Sequence, residues 1–247
     1  NRFSGGKAYL VVASVPFRCP AAPYEAALLF DDHFRQKGIR EKVDLRIFTA
    51  EDQPMAVAGP KIGASVRKMV ESQGIKYQPK IKLTLVDNVS RKIVFDNGET
   101  IDFDLLAIVP PHKAPEVAKE AGLLGENGWV GVNPLTLETK HPCVFAIGDI
   151  TGIKLPNGKA LPKAGVFAHY EAKTVAERIA AEIEGKKPAT QFNGWGLCFL
   201  EVSRGRAGLA FGDFYAKPDP KVFMFPPMKF WHLLKILFEK WWFFKWF

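Results

Sequence analysis

Apolar and polar positions divide the first part of the chain into alternating strand-like and helix-like segments. A continuous apolar run over residues 8–13 is typical of a buried strand, and apolar residues at helical spacing follow over residues 24–37. A second apolar run over residues 43–48 completes a strand–helix–strand order. This order predicts a βαβ unit, in which a helix joins two parallel strands, and hence an α/β fold.

The later pattern predicts further scaffold. An Asn-Gly pair at residues 97–98 indicates a hairpin turn because both residue types accept positive φ, and Gly185 indicates the end of a long helix. The remaining predictions are a helix over 62–73, strands over 81–86, 92–95, 101–103 and 105–109, short strands from 129 that end in a buried strand over 144–147, a helix over 166–184 with His169, Glu171 and Lys173 on its outer side, and a hairpin over 192–215 that turns at 203–206.

Composition and charge exclude several classes of protein. The 247 residues are 47% apolar and 13% aromatic, which is ample for a globular core. The net charge of +8 would suit nucleic acid, but the basic residues are spread out and no nucleic-acid motif is present, so no such partner is expected. The three cysteines are too far apart to predict a disulfide framework or a metal site. The first residues run straight into a strand without signal-peptide features, so the chain is expected to begin in mid-fold.

The turn after the first predicted strand lacks the features of a nicotinamide site. A dinucleotide-binding turn carries G-x-G-x-x-G, whose glycines let the backbone approach a pyrophosphate. Residues 14–25, SVPFRCPAAPYE, contain three prolines and no glycine. Because proline has no N–H donor, this domain is expected to keep the fold and to have lost nicotinamide binding. Glu51 has the position of a ribose-binding acid, but without the glycines it is predicted to lie at the surface.

Cys19 lies in this altered turn and has two interpretations. It could be a small buried apolar residue, as most lone cysteines are. Alternatively, Arg18 and the start of the following helix would lower the pKa of the Cys19 thiol and favour a reactive thiolate. Spacing alone predicts that Cys198, in the first strand of the later hairpin, belongs to the core, and Cys143 is predicted to pack as well.

A second candidate site lies in residues 143–180. An apolar run ends there at Gly148-Asp149, and a helix opens near Lys163. A helix start offers unpaired N–H groups and the positive end of the helix dipole, which suits an anionic ligand. Gly148 would let the backbone approach closely, and Asp149 could accept hydrogen bonds from ligand hydroxyls. The same Gly-Asp pair also occurs in plain turns.

Residues 228–247, MKFWHLLKILFEKWWFFKWF, predict an amphipathic helix. Polar residues at 232, 235 and 239 share one helical face, and aromatic and aliphatic residues fill the rest. Four lysines argue against a helix that spans a bilayer. The pattern favours a helix that lies in a membrane surface, with lysines at the headgroups and tryptophans in the interfacial layer. A core helix or a dimer helix is the alternative.

The portion PKAGVFAHYEAKTVA within residues 143–180 resembles the sulfide:quinone oxidoreductases and the related flavocytochrome c sulfide dehydrogenases. The resemblance implies a Rossmann-like flavoprotein with two dinucleotide-binding domains and FAD as its cofactor. It assigns Gly148 and Asp149 to the extended part of FAD, and Lys163, Ala164 and Gly165 to the pyrimidine edge of the flavin ring. A lysine cation at that edge would stabilise the negative charge of the reduced ring.

The segment RCPAAPYEAALLF also resembles this family, whose redox cysteines occur in this turn and in the strand of the later hairpin. The resemblance therefore pairs Cys19 with Cys198. It implies that sulfide attacks a disulfide or polysulfide between them and that FAD passes the electrons to a quinone. The candidate quinone contacts are His112, which could equally be a structural loop histidine, and Phe199, Phe230 and Trp231.

These expectations divide the chain into four parts. Residues 1–110 are a second Rossmann-like domain without a nicotinamide-binding glycine loop, 111–190 the C-terminal part of a FAD-binding domain, 191–227 a redox-cysteine hairpin, and 228–247 a membrane-binding tail. The predicted protein is a peripheral membrane enzyme that oxidises sulfide and reduces quinone. Lipid is a further partner, and a second copy of the chain is a candidate partner.

The resemblance covers only the C-terminal part of the family's length. The N-terminal G-x-G-x-x-G of the family and a third cysteine have no counterpart here, so this chain by itself is expected to bind FAD weakly and to be inactive. Two other functions remain open. A type II NADH:quinone reductase would need glycines where the chain has Pro16, Pro20 and Pro23. A non-catalytic membrane-binding module would not respond to sulfide.

Overall fold

The computed structural model describes residues 3–247, which form three sheets and five α-helices. The strands are β1 (Gly6–Val12), β2 (Val43–Thr49), β3 (Lys76–Gln78), β4 (Leu83–Asp87), β5 (Lys92–Phe95), β6 (Thr100–Asp102), β7 (Leu105–Val109), β8 (Trp195–Glu201), β9 (Ala207–Asp213) and β10 (Lys221–Met228). The helices are α1 (Ala22–Gln36), α2 (Pro60–Ser72), α3 (Glu116–Glu120), α4 (Gly165–Ile183) and α5 (Lys229–Trp246).

The first sheet is parallel and has the strand order β3-β2-β1-β7. Helix α1 joins β1 to β2, which confirms the predicted βαβ unit. β1 reads as a continuous apolar run because both of its faces are buried. Leu10 packs in a cluster with Tyr24 of α1, whereas Tyr9 points to the opposite face and packs with Phe48 and the antiparallel sheet β4-β5-β6.

The third sheet carries the predicted hairpin of β8 and β9, to which β10 adds as a third strand. β8 lies at the edge of this sheet and alternates between two environments. Leu200 is buried in the cluster shared with α1, whereas the ring of Phe199 lies 6.5 Å from that of Phe238 in α5. Helix α5 therefore covers the face of the hairpin sheet that α1 leaves open. No helix within residues 3–247 combines the length and the hydropathy that a membrane span requires.

The strand predicted over residues 144–147 does not form. Phe145 makes only an isolated bridge to Glu138, and Ala146 N–H donates to the Leu137 carbonyl at 3.1 Å. No strand of the described chain pairs with the other side of this segment, and Ile147 is 37% exposed. The segment is therefore an extended connection that leads into Gly148.

Three predictions about burial are wrong. Glu51 is only 7% exposed, and its carboxyl group accepts a hydrogen bond from the Tyr24 hydroxyl. Glu171 is 1% exposed because it lies on the buried side of α4, where it accepts the N–H of Gly148. Cys143 is exposed in a turn with a φ of 60°, so it does not pack in the core.

Candidate functional site

Two of the three cysteines line the same cavity. Cys19 lies in the turn between β1 and α1, and Cys198 lies in β8. Both are free thiols, both pack against the main core cluster, and the cavity between them has a volume of about 50 Å³. The remaining lining residues are uncharged; they include Met55, Phe167 and Phe211. The structure thus brings two distant cysteines to one small apolar chamber.

The turn that carries Cys19 is fixed by backbone hydrogen bonds at both ends. Cys19 has a φ of 55°, in the left-handed region, and its N–H donates to the Lys163 carbonyl at 2.7 Å. Its own carbonyl accepts the N–H of Ala22 at 2.9 Å, at the start of α1. The turn therefore ties the end of β1 to the segment just before α4, although it contains no glycine.

The electrostatics of the cysteines differ from the sequence prediction. Burial raises the pKa of the Cys198 thiol to about 12, with a further contribution from Cys19. Burial, followed by the nearby Glu25 carboxylate, also raises the pKa of Cys19, and the N–H groups of Ala22 and Ala21 lower it less. The predicted lowering of the Cys19 pKa is therefore wrong. Arg18 does not serve this thiol, because its guanidinium pairs with Asp149 at 2.9 Å.

Gly148 and Asp149 form a tight turn against α4. Gly148 has a φ of 72°, and a Cβ at this position would lie 3.3 Å from the Cβ of Ala168, so the residue type matters here. The Gly148 N–H donates to Glu171. Burial raises the pKa of Glu171 to about 7, and the hydrogen bond from Gly148 opposes this shift. The Gly148-Asp149 turn is thus anchored to α4 by a buried carboxyl group.

Lys163 is directed into the protein. The residue is 6% exposed, and its Nζ donates to the carbonyl oxygens of Asp149 at 2.7 Å and Thr151 at 2.9 Å. The same Nζ lies 3.4 Å from the centroid of the Trp129 ring. Burial lowers the pKa of Lys163 to about 8. Its ammonium group therefore braces the Gly148-Asp149 turn from inside.

The start of α4 adjoins the cysteine chamber. Ala164 lines the chamber and precedes Gly165, the first residue of the helix. The N–H groups of Phe167 and Ala168 donate to the Ala164 carbonyl, whereas those of Gly165 and Val166 have no backbone acceptor in the described chain. A Cβ on Gly165 would meet no atom within 4 Å, so the space beside this helix start is open.

A larger cavity of about 390 Å³ lies beyond the carboxyl ends of β1 and β2. It shares Pro20, Val57 and Pro162 with the cysteine chamber, and its polar lining includes Glu51 and Lys163. Burial raises the pKa of Glu51 to about 7. The sequence placed Glu51 at the surface and so missed that this acid lines a cavity.

The predicted quinone contacts fall into two regions. His112 lies at the cysteine turn, where its Nδ1 accepts the Arg18 N–H at 2.9 Å. Phe199, Phe230 and Trp231 lie instead around the hairpin sheet and α5. The Trp231 ring is 5.2 Å from Phe225 and 4.9 Å from Phe230. The buried Nε1 of Trp231 has no hydrogen-bond acceptor among the described residues.

The structure also brings together four titratable residues whose proximity the sequence did not predict. Glu25, Glu201, His232 and Lys235 form one cluster between α1, β8 and α5, and spacing gives no signal for it. The burial of Glu171, in contrast, could have been predicted from the sequence. The buried residues of α4 recur at helical spacing, and this stripe includes Phe167, Glu171, Thr174 and Arg178.

Comparison with known proteins identifies the family. The model of the pyridine nucleotide-disulphide oxidoreductases matches residues 22–175, more than half of the chain. The mitochondrial sulfide:quinone oxidoreductase of Mus musculus is 28% identical over 223 residues, which are 87% of this chain and 48% of the relative. That of Schizosaccharomyces pombe is 28% identical over 229 residues, 90% of this chain and 48% of the relative. The chain thus spans about half the length of these curated relatives.

Solved structures share the fold. The sulfide:quinone oxidoreductase of Aquifex aeolicus superposes with a TM-score of 0.80 at 22% identity, over 97% of this chain and 58% of that one. A FAD-dependent pyridine nucleotide-disulphide oxidoreductase from Desulfovibrio vulgaris gives a TM-score of 0.55 at 20% identity, over 84% of this chain and 50% of that one. The relatives confirm the resemblance that residues 143–180 indicated. By its matched family model, its relatives and its fold, the chain belongs to the pyridine nucleotide-disulphide oxidoreductase family.

Proposed function

We propose that this chain provides the cysteine pair and part of the FAD site of a membrane-associated sulfide:quinone oxidoreductase. One observation carries the proposal: Cys19 and Cys198, which are distant in the sequence, line one apolar chamber that Ala164 also lines at the start of α4. The sulfide:quinone oxidoreductases among the similar proteins support the same reaction.

The cysteine pair would act first as a disulfide. Sulfide attacks one sulfur of a Cys19–Cys198 disulfide, which breaks the S–S bond, forms a new S–S bond to the incoming sulfur as a persulfide, and releases the other cysteine as a thiol. Both protons of hydrogen sulfide are retained, one on the persulfide and one on the thiol. The raised pKa values of the two thiols favour their neutral forms, and the apolar lining favours neutral hydrogen sulfide over its anion.

The residues around α4 fit a bound FAD. The N–H groups of Gly165 and Val166, which have no backbone acceptor within residues 3–247, suit polar atoms of the cofactor, and the open space at Gly165 admits a ring edge. Asp149 is 38% exposed at its side chain and could accept a ligand hydroxyl, with Arg18 beside it. Bound FAD would supply an acceptor for an electron pair, which it would pass to quinone. Lys163 is hydrogen-bonded inside the protein, so it would act on FAD indirectly, by holding the Gly148-Asp149 turn in place.

The C-terminal helix would bring a lipid-soluble quinone to this site. His169, in the first turns of α4, lies 4.8 Å from the Trp242 ring and 5.4 Å from the Trp246 ring. Helix α5 therefore ends beside the helix that would hold the flavin. The indole N–H of Trp231, which has no acceptor among the described residues, could donate to a quinone carbonyl oxygen. The exposed apolar residues of this region extend over α5 and β10 and include Phe223, Phe225, Leu233, Leu237, Trp241, Phe243, Phe244 and Phe247.

Replacing Phe244 and Phe247 by serine should weaken binding to lipid vesicles by about tenfold or more. The two side chains are 91% and 93% exposed, so they are free to enter a membrane, and each loses more than about 1 kcal/mol of apolar transfer free energy. Sedimentation with phosphatidylcholine vesicles, with and without phosphatidylglycerol, measures the change. Val89→Ser is the matched control because Val89 is 96% exposed but lies outside α5. Equal binding by both variants would contradict a membrane role for the helix.

The visible spectrum of the full-length protein tests the proposed reaction. Sulfide added without oxygen should bleach the flavin absorbance, and a quinone added afterwards should restore it. NADH should have no effect, because Pro16, Pro20 and Pro23 occupy the turn where a nicotinamide cofactor needs glycines. Bleaching by NADH and not by sulfide would replace this proposal with a type II NADH:quinone reductase.

A further inference from the structure

Two polar residues of α5 face the protein, whereas most of the aromatic residues of the helix are exposed. His232 and Lys235, three residues apart, share one side of the helix. His232 Nδ1 lies 2.8 Å from Glu201 Oε1, and Lys235 Nζ lies 3.3 Å from Glu201 Oε2. Lys235 also lies 3.6 Å from Glu25 Oε1. These residues, Glu25, Glu201, His232 and Lys235, are called the tail clamp below.

The two acids of the tail clamp belong to the segments that carry the cysteines. Glu25 lies in the first turn of α1, just beyond the Cys19 turn, and Glu201 is the last residue of β8, the strand of Cys198. Glu25 Oε1 accepts the backbone N–H of Glu201 at 2.7 Å. Because β8 is an edge strand, this bond fastens its free edge to α1. Glu25 thus joins the two cysteine segments directly.

Lys235 compensates the charge of this junction. The carboxylates of Glu25 and Glu201 share its ammonium group, and their side chains are only 18% and 10% exposed. Removal of the ammonium would leave two partly buried negative charges together. The thiols respond to the same charges: Glu25 raises the pKa of both Cys19 and Cys198, and Lys235 lowers both. His232, on Glu201, completes the titratable groups that meet in the tail clamp.

We propose that Lys235 and His232 are positioning residues for the cysteine pair, which fasten the two cysteine segments to each other and to α5, so that docking of the tail helix controls the reactivity of both thiols. The inference rests on the proposed function only in taking Cys19 and Cys198 as the reacting pair. It links the helix that would lie on the membrane to the chamber in which sulfide would react. If α5 detached from the protein, Lys235 would move away from Glu25.

Thiol reactivity tests the tail clamp without any turnover. The reduced full-length protein is treated with methyl methanethiosulfonate between pH 7 and 9, and mass spectrometry follows the peptides of Cys19 and Cys198. Only the thiolate reacts, so each half unit of pKa changes the rate about threefold. Lys235→Met should slow both cysteines about threefold or more, and Lys235→Arg should restore the rate. Lys240→Met is the control, because Lys240 is exposed on α5 and has no ion pair within the described range.

A second variant should change the thiol rates in the opposite direction. Glu25→Gln keeps an oxygen that accepts the Glu201 N–H and removes the negative charge, so both thiols should react about threefold faster. The inference would be overturned if the cysteines of Lys235→Met reacted as fast as those of Lys240→Met. It would also be overturned if the cysteines of Glu25→Gln reacted more slowly than those of the unaltered protein. Sulfide bleaching measured on the same samples separates the two proposals. If the thiol rates shift but sulfide does not bleach the flavin, the inference about the tail clamp stands and the proposed function fails. If sulfide bleaches the flavin but the thiol rates do not shift, the proposed function stands and the inference fails.

Discussion

Cys19→Ser and Cys198→Ser are each expected to lower the rate of flavin reduction by sulfide about a thousandfold or more in the full-length protein. Serine oxygen cannot take part in thiol–disulfide exchange, so neither variant could form the proposed disulfide or the persulfide that would follow from it. Under the proposed mechanism both cysteines are needed, because each would supply one sulfur of the disulfide. Anaerobic stopped-flow measurement of the flavin absorbance after mixing with sulfide gives the rate directly.

Cys143→Ser provides the matched control for these variants. Cys143 is an exposed free thiol and does not line the chamber that Cys19 and Cys198 share, so its replacement should leave the rate within twofold or so of the unaltered value. FAD content and the midpoint of urea unfolding show whether each variant still folds. A Cys198→Ser protein that is folded, loaded with FAD and reduced by sulfide at the normal rate would disprove the paired-cysteine mechanism.

Local pattern was enough to predict much of the scaffold. The predicted strands over 92–95 and 105–109 coincide with β5 and β7, and the predicted helix over 166–184 differs from α4 by one residue at each end. Each of these elements has a periodic apolar pattern or a clear turn signal of its own. The strand over 144–147 failed because a strand needs a partner, and hydrophobicity alone does not say whether one is adjacent.

The site was less predictable because its properties come from long-range contacts. That Cys19 and Cys198 line one chamber depends on how β8 packs against α1, which no local spacing encodes. The pKa of Cys19 was predicted with the wrong sign because its neighbours in sequence suggested Arg18. In the folded chain Arg18 pairs with Asp149, and burial dominates the thiol. A charge near in sequence does not act on a group if a better partner lies elsewhere.

The C-terminal helix α5 is a second case in which long-range contacts limit prediction from the sequence. Its amphipathic helix was predictable from positions 232, 235 and 239, but the direction of its polar face was not. Solvent exposure of the polar face would be the usual arrangement for a helix on a globular protein. Here the acids Glu25 and Glu201 bind His232 and Lys235 of that face, whereas Glu239 and most of the aromatic residues of the helix are exposed. An exposed aromatic surface suits lipid, and the ion pairs beneath it fix the position of the helix on the protein.

The stability of the protein is expected to fall as the pH rises from about 4.5 to 7, because two buried carboxyl groups lose their protons there. The pKa values of Glu51 and Glu171 are both raised from 4.5 to about 7, mainly by burial. In this window the folded state binds more protons than the unfolded state, so stability is greatest below the unfolded pKa and is lost as the pH passes the folded pKa. A shift of this size corresponds to about 3 kcal/mol in the free energy of unfolding for each group.

Glu51→Gln and Glu171→Gln isolate this effect. Glutamine keeps an oxygen that can accept the Tyr24 hydroxyl or the Gly148 N–H, but it carries no charge at any pH. Each variant should therefore gain stability relative to the unaltered protein as the pH rises from 5 to 8, in urea unfolding measured at each pH. Glu120→Gln, at an exposed position of α3, should show no such trend. A difference between Glu171→Gln and the unaltered protein that stays constant with pH would mean that Glu171 is already charged throughout this range, and burial would then not control its titration.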